Sequence, residues 1–111
     1  MYIVGAPSNK IIRDATFKRY LGFLKDIERH NGKQLIRKYA TSDQNRYILL
    51  HGDILFQFIT LKDPKAYAGP DISGFHIDEA ALLDQGMDAW HAMVDRLRDN
   101  RAAQLFGMLS T

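Results

Sequence analysis

Gly74-Phe75-His76-Ile77-Asp78-Glu79-Ala80 decides how this chain is read. A short apolar run bounded by glycine and acids has the pattern of a buried strand. Side chains alternate along a strand, so Asp78 and Glu79 leave its C-terminal end in different directions, and His76 faces away from Ile77. That end is where open α/β sheets bind their ligands. In nucleotide triphosphatases an Asp at such a strand tip holds Mg²⁺, and an acid beside it can activate water. The same residues are also compatible with a strand end that carries two solvated carboxylates.

Outward from this strand, the pattern alternates between helix and strand. Downstream, Met87, Trp90, Val94 and Leu97 have helical spacing and predict a helix over 84–99, with Trp90 as its core anchor and Asn100 as its end. Residues 104–109 read as a last buried strand with Ser110 and Thr111 at its tip. Upstream, 65–73 holds Gly69-Pro70 and no strong period, and reads as a loop. Residues 47–50 and 54–59 are two apolar runs around His51-Gly52-Asp53, the pattern of an antiparallel hairpin. Ser42-Asp43-Gln44-Asn45 is a polar turn after a candidate strand at 34–40. Phe17, Tyr20, Leu21, Leu24 and Ile27, extended by Ile11 and Ile12, make an amphipathic helix over 10–30. Ser8 or Asn9 can cap its start, and Asn31-Gly32 supply its stop. Its polar face carries Arg13, Lys18, Arg19, Lys25 and Arg29. A strand at 1–6 opens the chain. This order is α/β: a mainly parallel sheet with helices on its faces and a hairpin at 47–59. Ile77 is expected in a central strand, with the strand that ends at Ser110 beside it.

At 111 residues the chain is one domain at most. It has no Cys, which excludes a disulfide framework, a Cys zinc site and a thiol nucleophile, and fits a reducing compartment. No apolar run approaches membrane-spanning length, so no membrane partner is expected. The N-terminus lacks the basic region and long apolar core of a secretory signal. Net charge is +2, unevenly spread: residues 1–50 hold ten Lys/Arg against four Asp/Glu, and 51–111 hold five against nine. The basic half could face nucleic acid and the acidic half hold metal; a solvated helix face and ordinary loops give the same count.

Other chemistries fit poorly. Gly5-Ala6-Pro7-Ser8-Asn9-Lys10 is not a phosphate loop, because Asn9 precedes Lys10, Ile11 follows it, and Pro7 removes a backbone N–H. His30, His51, His76 and His91 include no pair at helical metal-ligand spacing, and His76 reads more simply as a satisfied core or edge histidine. No Ser stands in a Gly-x-Ser-x-Gly context. Arg96, Arg98 and Arg101 cluster near a helix end, where they could compensate its C-terminus or meet DNA phosphate.

The residues taken together resemble the ATPase domain of the large subunit of phage terminases, the motors that pump DNA into capsids. The resemblance covers almost the whole chain. Val4-Gly5-Ala6-Pro7-Ser8, with Arg13-Asp14-Ala15-Thr16, looks like the strand and helix that follow the phosphate-loop helix. Leu50-His51-Gly52-Asp53-Ile54-Leu55-Phe56 is similar to the nucleotide-facing hairpin, and Gly69 with Gly74-Phe75-His76-Ile77-Asp78-Glu79-Ala80-Ala81 to the run into Walker B. Trp90 and Arg96-Leu97-Arg98 match the next helix, and Ser110-Thr111 the start of the coupling motif.

The resemblance implies a partial P-loop NTPase sheet of the ASCE type and a partial ATPase domain over 1–111. It implies Mg²⁺ held through water by Asp78, Glu79 as catalytic base, and Ser110 and Thr111 as sensors of the γ-phosphate of ATP. Implied partners are double-stranded DNA, a portal protein, a small terminase subunit and further copies of the motor; the implied location is the cytoplasm of a bacterial host. There are departures. No Walker A loop or its Lys is encoded, and no nuclease domain, so the segment looks like the middle of an ATPase domain cut on both sides. Tyr67-Ala68-Gly69 stand where the family often has an Arg before the Gly. The alternatives are a fragment of another P-loop motor such as a helicase, or a small non-enzymatic binding module.

Overall fold

The structure is a computed structural model that describes residues 1–62, 69–83, 86–98 and 106–110. Six strands form one sheet: β1 (Tyr2–Ala6), β2 (Ile36–Ser42), β3 (Asn45–Leu50), β4 (Leu55–Thr60), β5 (Gly74–Ile77) and β6 (Phe106–Leu109). Their order is β2-β3-β4-β1-β5-β6. The β2–β3 and β3–β4 pairs are antiparallel, whereas β1 is parallel to β4 and β5, and β5 to β6. The sheet is therefore an antiparallel half joined to a parallel half through β4 and β1. The expected α/β class, the hairpin and the central place of Ile77 are all observed. Ile77 is 1% exposed and pairs with Leu109 on the strand that leads to Ser110.

The helix expected over 10–30 runs from Asn9 to Asn31, in three pieces: α1 (Asn9–Ile11), a wide π turn (Ile12–Thr16) and α2 (Phe17–Asn31). Ser8 caps the start by accepting from the Ile11 N–H at 3.2 Å. Gly32 ends α2 at φ 65°, the left-handed conformation that a residue without Cβ adopts at little cost. In the π turn the Phe17 N–H reaches back to the Ile12 carbonyl. Such single wide turns mark functional positions more often than chance. Here Ile12 and Thr16 are both buried at its two ends.

Two cores lie on opposite faces of the sheet. Phe17, Leu24, Val4, Ile48 and Phe58 fill the α2 face. Tyr20 and Phe17 both meet the Phe58 ring edge-on, at 5.3 and 5.1 Å, each contact contributing about 0.5–1.5 kcal/mol beyond its buried area. Ile72, Phe75, Ile77, Ala89 and Met93 fill the other face, under α3 (Gly86–Asp95). Trp90 does anchor α3, its ring 5.1 Å from Phe75.

Three expectations change. Leu97 is not helical: it forms a parallel bridge to Ile72, whose N–H donates to the Arg96 carbonyl at 2.7 Å and draws the chain off the helix. Arg96 is not a solvated residue at the helix end. It is 8% exposed and its Nε donates to the Pro70 carbonyl at 3.0 Å. Gly69 leaves room for it, since a Cβ there would lie 2.5 Å from Arg96 Nη2. Finally, the last strand is not buried. Phe106, Met108 and Leu109 are 46–47% exposed because β6 is an edge, with β5 on one side and, among the described residues, nothing on the other. Lys65, Tyr67, Ala68, Asp84, Asp99, Asn100, Arg101, Gln104 and Thr111 lie outside the described residues. Among those described, no helix is long and apolar enough to cross a membrane.

Candidate functional site

The tips of β5 and β6 are locked side by side. The Ser110 N–H donates to the Ile77 carbonyl at 2.9 Å, and the Ala80 N–H to the Ser110 carbonyl at 2.9 Å. Glu79 takes left-handed backbone angles, φ 53° and ψ 42°, so the chain turns sharply after Asp78. A non-glycine residue there stores strain, a feature that clusters at functional sites.

Asp78 is 1% exposed, which excludes the reading of two solvated carboxylates for this residue. Four donors surround its carboxylate. Oδ2 accepts from Thr16 Oγ1 at 2.7 Å and Arg19 Nη2 at 3.0 Å. Oδ1 accepts from Ser110 Oγ at 2.7 Å and from the Glu79 N–H at 3.0 Å. Burial pushes the Asp78 carboxyl up, but the hydrogen bonds from Thr16 and Ser110 and the Arg19 charge outweigh it and hold it below the usual carboxylate range. Asp78 is an anion at neutral pH.

Behind Ser110 stands His76, its Nε2 2.6 Å from Ser110 Oγ and its Nδ1 2.6 Å from the Tyr20 hydroxyl. The direction of this chain follows from proton inventory. Ser110 has one hydroxyl proton and gives it to Asp78, so His76 Nε2–H donates to Ser110, and Tyr20 donates to the bare Nδ1. Burial, foremost, lowers the His76 pKa, which keeps the ring neutral and suits this tautomer. Burial and the Asp78 charge push Tyr20 up to about 12, so it stays a donor. A cavity of ≈ 320 Å³ opens beside these groups, lined by Thr16, Arg19, Tyr20, Phe23, His76 and Asp78.

The structure thus brings Asp78 and Ser110 together, as two adjacent parallel strand tips should. Glu79 is beside them but separate: partly exposed, with no hydrogen bond or ion pair to its carboxylate among the described residues. Helical periodicity presents Thr16, Arg19 and Tyr20 only as parts of a helix. Their spacing of three and one does keep them within a single turn, and Thr16 and Tyr20, four apart, share one stripe, the signal that could have singled them out. Among the described residues no group of three or more His, Cys, Asp or Glu forms a metal cluster. The donor type at Asp78, a carboxylate flanked by hydroxyls, suits a hard cation such as Mg²⁺. The arrangement leaves it no acceptor position, since a carboxylate has about four and all are taken. One donor has to leave before a metal or its water can enter.

A mixed α/β sheet with a buried acid at a parallel strand tip, beside a hydroxyl on the next strand, places these groups at the end where open α/β sheets bind their ligands. Comparison with solved structures narrows this to a fold. The large terminase of a thermophilic bacteriophage, solved in complex with ADP, matches with a TM-score of 0.57 and 15% identity over 97% of this chain and 25% of its own. The ATPase domain of the large terminase of a Thermus phage, in a mutant form, matches with a TM-score of 0.62 and 14% identity over 99% of this chain and 47% of its own. The fold is therefore the one found in phage large-terminase ATPase domains, and this chain spans about a quarter and about half of the two proteins. No family profile matches the sequence, and no curated protein does.

Proposed function

We propose that this chain is part of the ATPase domain of a terminase large subunit, a motor that packages viral DNA, with 1–111 running from after the phosphate-loop helix to the coupling motif. The observation that carries the reading is Asp78, buried at the tip of β5 and bonded to Ser110 at the tip of β6, in a fold shared with large-terminase ATPase domains. Mg²⁺–ATP, once bound in the whole protein, supplies the phosphoryl group that is transferred to water. Asp78 is the residue to hold the metal through water. Glu79, on a strained turn and with no hydrogen bond or ion pair to its carboxylate among the described residues, is the base. Ser110, and Thr111 beyond it, sense the γ-phosphate, and His76 and Tyr20 fix the Ser110 hydroxyl on Asp78. Double-stranded DNA, a portal protein, a small subunit and further copies of the motor are the partners this role requires, in the cytoplasm of a bacterial host. A binding module with surface carboxylates accounts less well for Asp78, and the fold neighbours favour a terminase over a helicase.

The test is hydrolysis by a protein that carries this segment together with a phosphate loop. Glu79→Gln should lower the rate by about 10²–10⁴-fold and spare nucleotide binding, the contribution of a general base. Asp78→Asn should instead weaken Mg²⁺-dependent nucleotide binding. Wild-type turnover by Glu79→Gln would remove Glu79 from the role.

A further inference from the structure

We propose that Arg19 is a displaceable guard on Asp78: it occupies the carboxylate's cation position and leaves when a divalent cation arrives. The inference rests on Asp78 being the metal-holding residue, and goes beyond it in naming what competes with the metal.

The four donors on Asp78 are not equally free to leave. The Glu79 N–H is backbone and departs only if the turn after β5 is rebuilt. Thr16 is 1% exposed and fixed on the π turn. Ser110 Oγ is pinned from behind by His76, whose own other nitrogen is held by Tyr20. Arg19 differs in every respect. Its side chain is 62% exposed, against 1% for Asp78, and Asp78 is its one ion-pair or hydrogen-bond partner among the described residues. It is also the one charged donor of the four. On leaving, its guanidinium returns to water, while the buried Thr16 hydroxyl would be stranded in the interior. A guanidinium 3.0 Å from Oδ2 and a divalent cation on the same carboxylate repel each other, so each state disfavours the other.

The guard also explains how a buried anion is tolerated when no metal is present. Arg19 supplies a counter-charge, at the cost of weaker metal binding by the fraction of molecules in which it is closed.

Mn²⁺ serves as a paramagnetic probe for Mg²⁺, and its binding to this chain is followed by electron paramagnetic resonance. Arg19→Met keeps the apolar stem and removes the charge. It should bind Mn²⁺ about tenfold more tightly than wild type or better, the effect of freeing a site that is closed most of the time. Arg19→Lys restores a cation and should return the affinity toward wild type. Lys18→Met, which removes an exposed charge next in sequence, should change it little. Asp78→Asn in the Arg19→Met background should abolish the gain. If Asp78→Asn loses the Mn²⁺ site but Arg19→Met binds no better than wild type, the guard is wrong while the metal role of Asp78 stands. If Asp78→Asn leaves binding intact, both fail. If Lys18→Met tightens binding as much as Arg19→Met, the effect is general charge and the guard is again overturned. The same holds if no variant, Arg19→Met included, binds Mn²⁺ at all.

Discussion

Among the described residues, one buried charge stands on a strand or at a strand tip in each half of the sheet, apart from Arg96 after α3, and the two are held in opposite ways. In the parallel half it is Asp78, with donors on every acceptor position, three of them from distant residues on α2, the π turn and the tip of β6. In the antiparallel half it is Arg46, 3% exposed on β3. Its partners are local: the Thr41 carbonyl and the Asp43 carboxylate, both at 2.8 Å across the β2–β3 turn. Its guanidinium also stacks over Phe17 at 5.7 Å, yet its Nε is buried without a hydrogen-bond partner. A residue needed only for packing tolerates such a loose end. A carboxylate surrounded from three elements is over-determined, and sequences meet that expense where a group must be held in one place.

The comparison can be broken by mutation. The largest effect should come from Asp78→Ala, which strands the donors gathered around it. Removing one partner of a buried charged network costs about 3–5 kcal/mol, and the lower end applies because Arg19 can turn to water. Chemical denaturation measures it, and a cost under about 1 kcal/mol, the net value of a single hydrogen bond, would show that the network is not holding the strand tips together.

Acidification should act next, and in the parallel half it acts through His76 and Asp78. His76 and Asp78 both have pKa values lowered by the fold, so the unfolded chain binds more protons than the folded one as pH falls. Their stabilisation is complete at neutral pH. The His76 share is lost as pH drops from the ordinary value of 6.5 through its lower folded value, and the Asp78 share as pH drops from 3.8 through its own. Melting temperatures between about pH 8 and about pH 3 should therefore fall in two stages, and Asp78→Asn should remove its share of the second. A rise between about pH 7 and about pH 5 would contradict the neutral His76 on which the donor chain depends.

Tyr20→Phe removes the hydroxyl that donates to His76 and nothing else of the ring packing. It should cost about 1 kcal/mol, the net value of one hydrogen bond. An unchanged denaturation midpoint would mean that His76 is held by Ser110 alone. The smallest effect belongs to the other half. Arg46→Met should stay within about 1 kcal/mol of wild type, because an apolar side chain of similar length fills the space and removes the orphaned Nε. If it costs as much as Asp78→Ala, the contrast between the two buried charges is false.

Much of the fold is legible in the sequence because its signals are local. The spacing of Phe17, Tyr20, Leu21 and Leu24 writes the long helix, Gly32 its stop, and His51-Gly52-Asp53 the hairpin. Leu97 misleads for the same reason: it continues the period of Trp90 and Val94, but the bridge that Ile72 makes across the Arg96 carbonyl overrides the period. The strand at 106–109 misleads because apolar composition says that a surface is coverable, not that it is covered.

What the sequence by itself determined is that an acid stands at the end of a buried strand, with a second acid after it and Ser110 at the tip of the last strand. Periodicity and turn chemistry act over a few residues, so they fix which side of an element a residue takes. Only the tertiary structure decided who meets whom. Thr16, Arg19 and Tyr20 stand 62, 59 and 56 residues from the groups they bond. They reach them because β5 lies directly beside β1, which brings the helix that follows β1 against the β5 tip. That order is a property of strand pairing over the whole sheet, and no local window contains it.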